Sequence, residues 1–412
     1  MIEYSTFTLN NGLKVLVHPN RQSNLVTFNL LYNVGARDEN PDQTGLAHFF
    51  EHMMFEGTKE VRDFDHRLQL AGASHNAFTC NDYTNYYITL PYENIETAFW
   101  LESDRMMHLD IHQEKLETQK KVVIEEFKQR YINQPYGDLW SELRKLSFKK
   151  HPYQWQTIGK SIEHIENIDM NSSNSFYKAY YHPANAILGL SGNISASDAK
   201  TFCEKWFGPI ASGHINKGVY IQEPLQEEGR LKVIEKEVPS DVLIKAYKSS
   251  GRKGKDYHAL KMLSLLLSGG KSSRIKNALI DKKKVFLNAG VFSTGELDPD
   301  LLVISATLQK GISFDDAENE VEQFIKDIQQ GSFSKSEMEK VINQCETDFC
   351  FDMSDNNHIA LKLSIAGLLD DYSTLQHGLQ KLKNVSHDEV LTSAQNVFDE
   401  KRCNTIHYKS HE

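Results

Sequence analysis

Apolar residues spaced among polar ones make Ser5 to Leu9 a strand candidate and Leu13 to His18 its partner, with Asn10-Asn11-Gly12 between them. An Asn-Gly pair between two such runs predicts a β-hairpin with a two-residue turn at the start of the chain. Leu25 to Tyr32 is a third strand-like run, and from Thr44 to Phe55 the spacing becomes helical, with Thr44 as the expected N-cap and Gly57 as the stop. Phe64 to Leu70 and Glu93 to Met107 read as helices on either side of a strand-rich stretch, Asn76 to Leu90. Leu116, Val122, Val123 and Phe127 recur near helical spacing without an intervening Gly or Pro, so one long helix is expected over Gln113 to Tyr131. Helix and strand signals alternate without βαβ regularity, which places the fold in the α+β class, each domain a largely antiparallel sheet packed with helices.

At 412 residues the chain exceeds what one core usually holds. Periodicity lapses between Gly208 and Arg230, where Gly208-Pro209, Ser212-Gly213, Pro224 and Glu227-Glu228 accumulate. The expected division is an N-terminal domain over 1–212, a linker over 213–229 and a C-terminal domain over 230–412. Beyond the linker Leu231-Lys232-Val233-Ile234 echoes Leu13-Lys14-Val15-Leu16, and the apolar stretch Ala259 to Leu267 corresponds to Ala47 to Phe55. In that register Leu260, Leu263 and Ser264 stand where the first half has His48, Glu51 and His52. Two homologous domains follow, of which the second has no metal site.

Composition narrows the function by exclusion. A net charge of −10 argues against a nucleic-acid partner, and the basic run Lys282-Lys283-Lys284 reads as a solvated turn. No apolar run approaches the ~20 residues that span a bilayer, so no membrane association is expected. The first residues have neither the basic nor the apolar region of a secretory signal, and the five cysteines form no CxxC pair. Free thiols in a cytoplasmic protein are the expectation.

The chemistry concentrates in His48-Phe49-Phe50-Glu51-His52. This is H-x-x-E-H, the reverse of the commoner H-E-x-x-H zinc signature. Positions four apart share a helix face, so His48 and His52 can offer two imidazole nitrogens to one ion. Glu51, beside the second ligand, can reach a water at that ion without binding the metal and act as general base. Phe49, Phe50, Met53, Met54 and Phe55 make the helix a buried one, where unpaired histidines beside a glutamate are costly. A catalytic zinc takes three protein ligands, so a third must come from elsewhere in the chain.

With these residues the chain resembles the pitrilysin family of zinc metallopeptidases, which includes insulin-degrading enzyme and mitochondrial processing peptidase. The resemblance runs from Leu13-Lys14-Val15 through the H-x-x-E-H helix, Gly72 to Pro91, Val122 to Glu126 and Tyr181-His182-Pro183 into the second half. It implies two homologous domains per chain, paired with two more around a chamber in which peptides are cleaved. It also implies a third ligand from a helix some seventy residues downstream, which selects Glu126, with Glu125 as the local alternative, and so one Zn2+ per chain. Gly72 to Thr79 resembles the family's edge strand beside the metal, which takes up an extended peptide through its backbone. On that resemblance Asn76 fixes the scissile peptide, Ala77 leaves room for its approach and Phe78 lines a side-chain pocket, while His75 matches no ligand and reads as a surface histidine.

Two departures accompany the resemblance. Relatives often carry a glutamate at the place of Gln119, so the ligands of the metal are supported differently here. Active relatives also place an arginine and, seven residues on, a tyrosine behind the glycine-rich loop to hold the substrate and oxyanion. The matching positions are Ile280 and Leu287, which donate no hydrogen bond. The expected function is that of a zinc-dependent endopeptidase, the catalytic half of a heterodimer with a homologous subunit that lacks H-x-x-E-H and supplies the missing pair; a homodimer is the alternative assembly. A non-catalytic peptide-binding or scaffold subunit is the alternative from another class, and a zinc hydrolase acting on something other than peptides is a third reading.

Overall fold

In the computed structural model, β1 (Ser5–Thr8) and β2 (Lys14–Pro19) form the expected hairpin. The structure describes residues 2–214 and 221–411, so the part of the expected linker from 215 to 220 lies outside the described residues. The hairpin turn has three residues rather than two. Leu9 N–H donates to Leu13 O, and Gly12, at φ 94°, takes the left-handed conformation that closes the loop.

The described residues divide into two compact units. The first comprises Met1–Lys128, Trp155–Tyr220 and Phe349–Gly378, and the second Gln129–Gln154, Ile221–Asp348 and Leu379–Glu412. In the first unit β3 (Leu25–Tyr32), β4 (Ser74–Thr79), β5 (Thr84–Pro91) and β6 (Ala186–Gly192) join the hairpin in a sheet of order β1-β2-β6-β3-β5-β4. Only β2 and β6 run parallel. β3 and β6 are buried almost throughout because helices cover both faces. On one face lie the helix Leu46–Met53, against β4 and β5, and Phe99 and Phe207, against Phe28 of β3; on the other lies Asn356–Leu369, a segment from the far end of the chain. Gly189 lets that helix close in, since a Cβ there would meet Ala360 O at 2.3 Å. The polar groups this contact buries are paired: Asn29 Nδ2 donates to Asn85 Oδ1 and to Ser364 Oγ, both at 2.8 Å.

The second unit builds β7 (Arg230–Lys236), β8 (Val242–Ser249), β9 (Phe286–Ser293), β10 (Asp300–Leu308) and β11 (Cys403–Ser410) into a sheet of order β7-β11-β8-β10-β9. Strand for strand this repeats β2-β6-β3-β5-β4, including the single parallel pair, here β7 with β11. Its helix Tyr257–Ser268 packs on β9, and the opposite face of the sheet is covered by Leu139–Ser147, a helix from the first half of the sequence. Each sheet is thus completed by a helix from the other half of the chain. Among the described residues no helix is long and apolar enough to cross a membrane.

Candidate metal centre

The helix Leu46–Met53 is eight residues long and begins without a side-chain cap of its own. Thr44, the expected cap, instead makes a 2.9 Å hydrogen bond between its Oγ1 and His164 Nδ1. The N-cap is Gly45, at φ 98°, where a Cβ would meet Ile158 O at 2.6 Å. The orphan N–H groups are taken by Glu39: its carboxyl accepts from Gly45 N and Ala47 N, both at 2.9 Å, and from Trp155 Nε1 at 3.1 Å. Burial pushes the Glu39 carboxyl up to about 8, while the three N–H donors pull it down. At the other end Arg105, itself buried, donates to Met54 O at 3.4 Å and to both oxygens of the buried Glu102. Its guanidinium stacks over the rings of Phe55, Phe64 and Tyr86.

Held at both ends, the helix turns His48 and His52 toward Glu126, near the end of the helix Gln113–Phe127. His48 Nε2 lies 3.7 Å and His52 Nε2 3.3 Å from Glu126 Oε2. Nitrogen and oxygen ligands on a tetrahedral zinc stand about 3.3 Å apart, as bonds of ~2.0–2.1 Å require, so these three atoms fit that ion. Among the described residues this is the one group of three His, Cys, Asp or Glu side chains close enough to share a metal. Glu125 is exposed and pairs with Lys128 at 2.6 Å, which leaves Glu126 as the carboxylate in the cluster. The expected helix to Tyr131 is α-helical only as far as Phe127, beyond which Lys128–Ile132 takes a π turn.

Glu51 accepts a hydrogen bond at Oε2 from Thr79 Oγ1, 2.6 Å away on β4. Burial raises the pKa of the Tyr86 and Tyr181 hydroxyls beneath the helix, and the Glu51 charge raises them further. Gln119 lies two turns before Glu126, and its Nε2 donates to Glu56 Oε1 at 2.5 Å. Glu56, one turn beyond His52, thus places a carboxylate opposite the residue where the resemblance led one to expect a second glutamate. The edge-strand residues divide by parity. His75, Ala77 and Thr79 lie opposite Ile88, Tyr86 and Thr84 on β5, on the side of the Leu46–Met53 helix, and the His75 ring stands 5.8 Å from that of Phe55. Asn76 and Phe78 take the other side. Asn76 Oδ1 accepts from Ala77 N at 2.8 Å, and Phe78 stacks edge-on against Tyr83 in the cluster beneath Asn356–Leu369. His75, expected at the surface, has a side chain only 21% exposed and bonds Asp65 through Nε2 at 2.9 Å.

Thr79, Glu39, Glu56 and Arg105 were not singled out by the sequence reading. Thr79 alone carried a signal, a hydroxyl two residues beyond Ala77 on the same strand face.

The chain is similar throughout to known proteins. The family model described as Insulinase (Peptidase family M16) matches residues 14–161, and that described as Peptidase M16 inactive domain matches residues 167–345. Zinc protease PqqE of Helicobacter pylori is 27% identical, over 99% of this chain and 93% of its own. The crystal structure of a protease from Helicobacter pylori, 26% identical, superposes with a TM-score of 0.95 over 99% of this chain and all of the other. The periplasmic protease PqqL of Escherichia coli shares the fold at a TM-score of 0.83 and 17% identity, with 99% of this chain covering 48% of that one.

Proposed function

Because the chain belongs to peptidase family M16, we propose that it is a zinc-dependent endopeptidase in which His48, His52 and Glu126 hold one Zn2+ and Glu51 is the general base. The observation that carries this reading is the convergence of two imidazole nitrogens and one carboxylate oxygen, with the Glu51 carboxylate anchored on the adjoining edge strand. A zinc ion held there supplies a Lewis acid that brings the pKa of water toward ~7 and polarises a carbonyl. The chain's own groups do the rest. Glu51 takes the proton of the attacking water and passes it to the leaving amide nitrogen. β4, paired with β5 alone, offers its open edge to an extended peptide, with Asn76 and Ala77 on that edge and Ala77 on the side of the His48 helix. Phe78 supports the strand from behind through Tyr83, and Gln119, two turns before Glu126 and bonded to Glu56, supports the ligand helix.

The chain works as the catalytic half of a heterodimer whose partner is a homologous subunit carrying the arginine and tyrosine. Two observations support this: Ile280 packs against the second core and Leu287 stands 53% exposed on β9, and neither side chain has a donor. That none of the five cysteines is disulfide-bonded supports a reducing compartment, the cytoplasm. The scaffold alternative draws on the word inactive in the description of the family that residues 167–345 match, a segment that contains none of the four centre residues.

The test pairs Glu51→Gln with the wild type, alone and mixed with candidate homologous chains, against unstructured peptides. Glu51→Gln should retain about one zinc and lose cleavage by ~10²-fold or more. Wild-type chain alone should be slower than the hetero-assembly by ~10² to 10³, the usual cost of losing one oxyanion donor. Undiminished turnover in Glu51→Gln removes the base from the mechanism, and full activity of the chain alone removes the partner.

A further inference from the structure

Thr79 is the last residue of the edge strand β4, on the same face as Ala77, and its Oγ1 donates to Glu51 Oε2 at 2.6 Å. We propose that Thr79 is a positioning residue for Glu51, its hydroxyl fixing the direction in which the carboxylate faces. The proposal rests on the reading of Glu51 as general base and adds how that base is held.

The donor is itself fixed. Thr79 pairs in register with Thr84 on β5, whose own hydroxyl is tied to Val34 O at 2.9 Å. The next residue is held on both backbone groups, Cys80 N–H donating to Tyr83 O at 3.0 Å and Cys80 O accepting from Ala36 N at 3.3 Å. A β-branched side chain on so constrained a strand has little freedom at χ1, so the hydroxyl stands at one place. Glu51 is the longer side chain of the two: it sits in the last turn of a short helix, half-buried, with three side-chain torsions that the contact helps to settle. A short hydrogen bond from a neutral hydroxyl to an ionised carboxylate is strong enough to settle them and adds no charge to the centre. The strand that orients the base is also the one whose open edge would receive the peptide, so substrate uptake and base orientation depend on one element.

Thr79→Val removes the hydroxyl and keeps the shape and strand preference; Thr79→Ser keeps the hydroxyl and drops a methyl. Three measurements are compared with wild type in the active assembly: zinc content, kcat and KM on an unstructured peptide, and crystal structures of the zinc-loaded proteins. Thr79→Val is expected to keep its zinc and KM, to lose kcat by about tenfold, and to show the Glu51 carboxylate displaced or spread over more than one rotamer. Thr79→Ser is expected to restore both the rate and the single orientation. The proposal is overturned if Thr79→Val cleaves at the wild-type rate with Glu51 unmoved. Loss of zinc in Thr79→Val, or a Thr79→Ser as impaired as Thr79→Val, also overturns it by making the role structural. Normal turnover in Glu51→Gln sinks the general-base reading instead, and the crystallographic pair then decides by itself whether Thr79 holds Glu51.

Discussion

Replacing Arg105 with methionine should destabilise the first unit by an amount that depends steeply on pH. Arg105 Nε and Nη2 pair with the two oxygens of Glu102 at 2.8 and 2.5 Å, and both side chains are essentially out of water, 1% and 0% exposed. Methionine fills much of the same volume among Phe55, Phe64 and Tyr86 and keeps favourable sulfur–ring contacts, so the packing loss is small. What remains is a buried carboxylate without its counter-charge. Burial already pushes the Glu102 carboxyl up and Arg105 holds it down; without Arg105 it takes a proton. Protonating a carboxyl whose ordinary value is 4.5 at pH 7 costs at most about 3.4 kcal/mol, that is 2.5 pH units at about 1.36 kcal/mol each. Adding about 1 kcal/mol for the lost bond to Met54 O and the ring stacking, Arg105→Met should cost about 2–4 kcal/mol at pH 7. A carboxyl raised in the folded state keeps full stability below its unfolded pKa and loses it as pH rises, so the penalty should shrink to about 1–2 kcal/mol near pH 5. The assay is urea unfolding of the metal-free protein followed by tryptophan fluorescence at both pH values, with Glu102→Gln/Arg105→Met as the variant whose penalty should not change with pH. A cost below about 1 kcal/mol at pH 7, or one that is the same at pH 5, refutes the buried-pair account.

Two further predictions concern the carboxylates around the centre. Glu126→Gln should lower zinc affinity by ~10²-fold or more, since it removes the charged ligand, whereas Glu125→Gln should leave affinity within about twofold; competition with a chromogenic chelator measures both, and equal effects would undo the assignment of Glu126. Gln119→Glu restores the residue that relatives often carry but sets it against Glu56 Oε1, so it should cost about 1–2 kcal/mol at pH 7 and be relieved by Glu56→Gln in a double-mutant cycle; a neutral Gln119→Glu would show that Glu56 can turn away.

How much of this was legible before the structure depended on the range of the interactions. His48, Glu51 and His52 sit within about one helical turn, so spacing was enough to put them on one face, and the strand Leu25–Tyr32 was bounded correctly because its mostly apolar run is broken only by Thr27 and Asn29. Glu126 needed the family pattern, since nothing local separates it from Glu125; only the fold shows one turned to the histidines and the other to Lys128. The cap was misread for a related reason. Thr44 has the right chemistry one residue before Gly45, but the helix takes its acceptor from Glu39, brought there by the turn that precedes it, and Thr44 is spent on His164. Asn76 and Phe78 share a strand face because the side-chain period is two, and Thr79, of the opposite parity, falls on the side of Glu51, a contact that no motif signals. Least legible was the exchange of Leu139–Ser147 and Asn356–Leu369, because each helix packs on strands far away in sequence.

The repetition of the sheet order makes the difference between the two equivalent helices a matter of side chains alone. Tyr257–Ser268 occupies the place of Leu46–Met53, following the strand equivalent to β3 and packing on the strand equivalent to β4. Where the first helix puts His48 and Glu51, this one puts Leu260 and Leu263, both buried in the second core, and where the first has His52 it has Ser264, whose hydroxyl bonds Val291 O at 3.3 Å. The two helices are therefore stabilised in different ways. An apolar helix of twelve residues is held by burial, at about 25 cal/mol for each Å² of apolar surface removed from water, and needs no outside carboxyl at its start. The eight-residue helix of the first unit keeps polar groups facing an open side and so depends on Glu39 at one end and Arg105 at the other. That buried carboxyl and that buried guanidinium, both outside the H-x-x-E-H motif in sequence, are what hold one of the two equivalent helices with His48 and His52 turned toward Glu126 instead of filling a core.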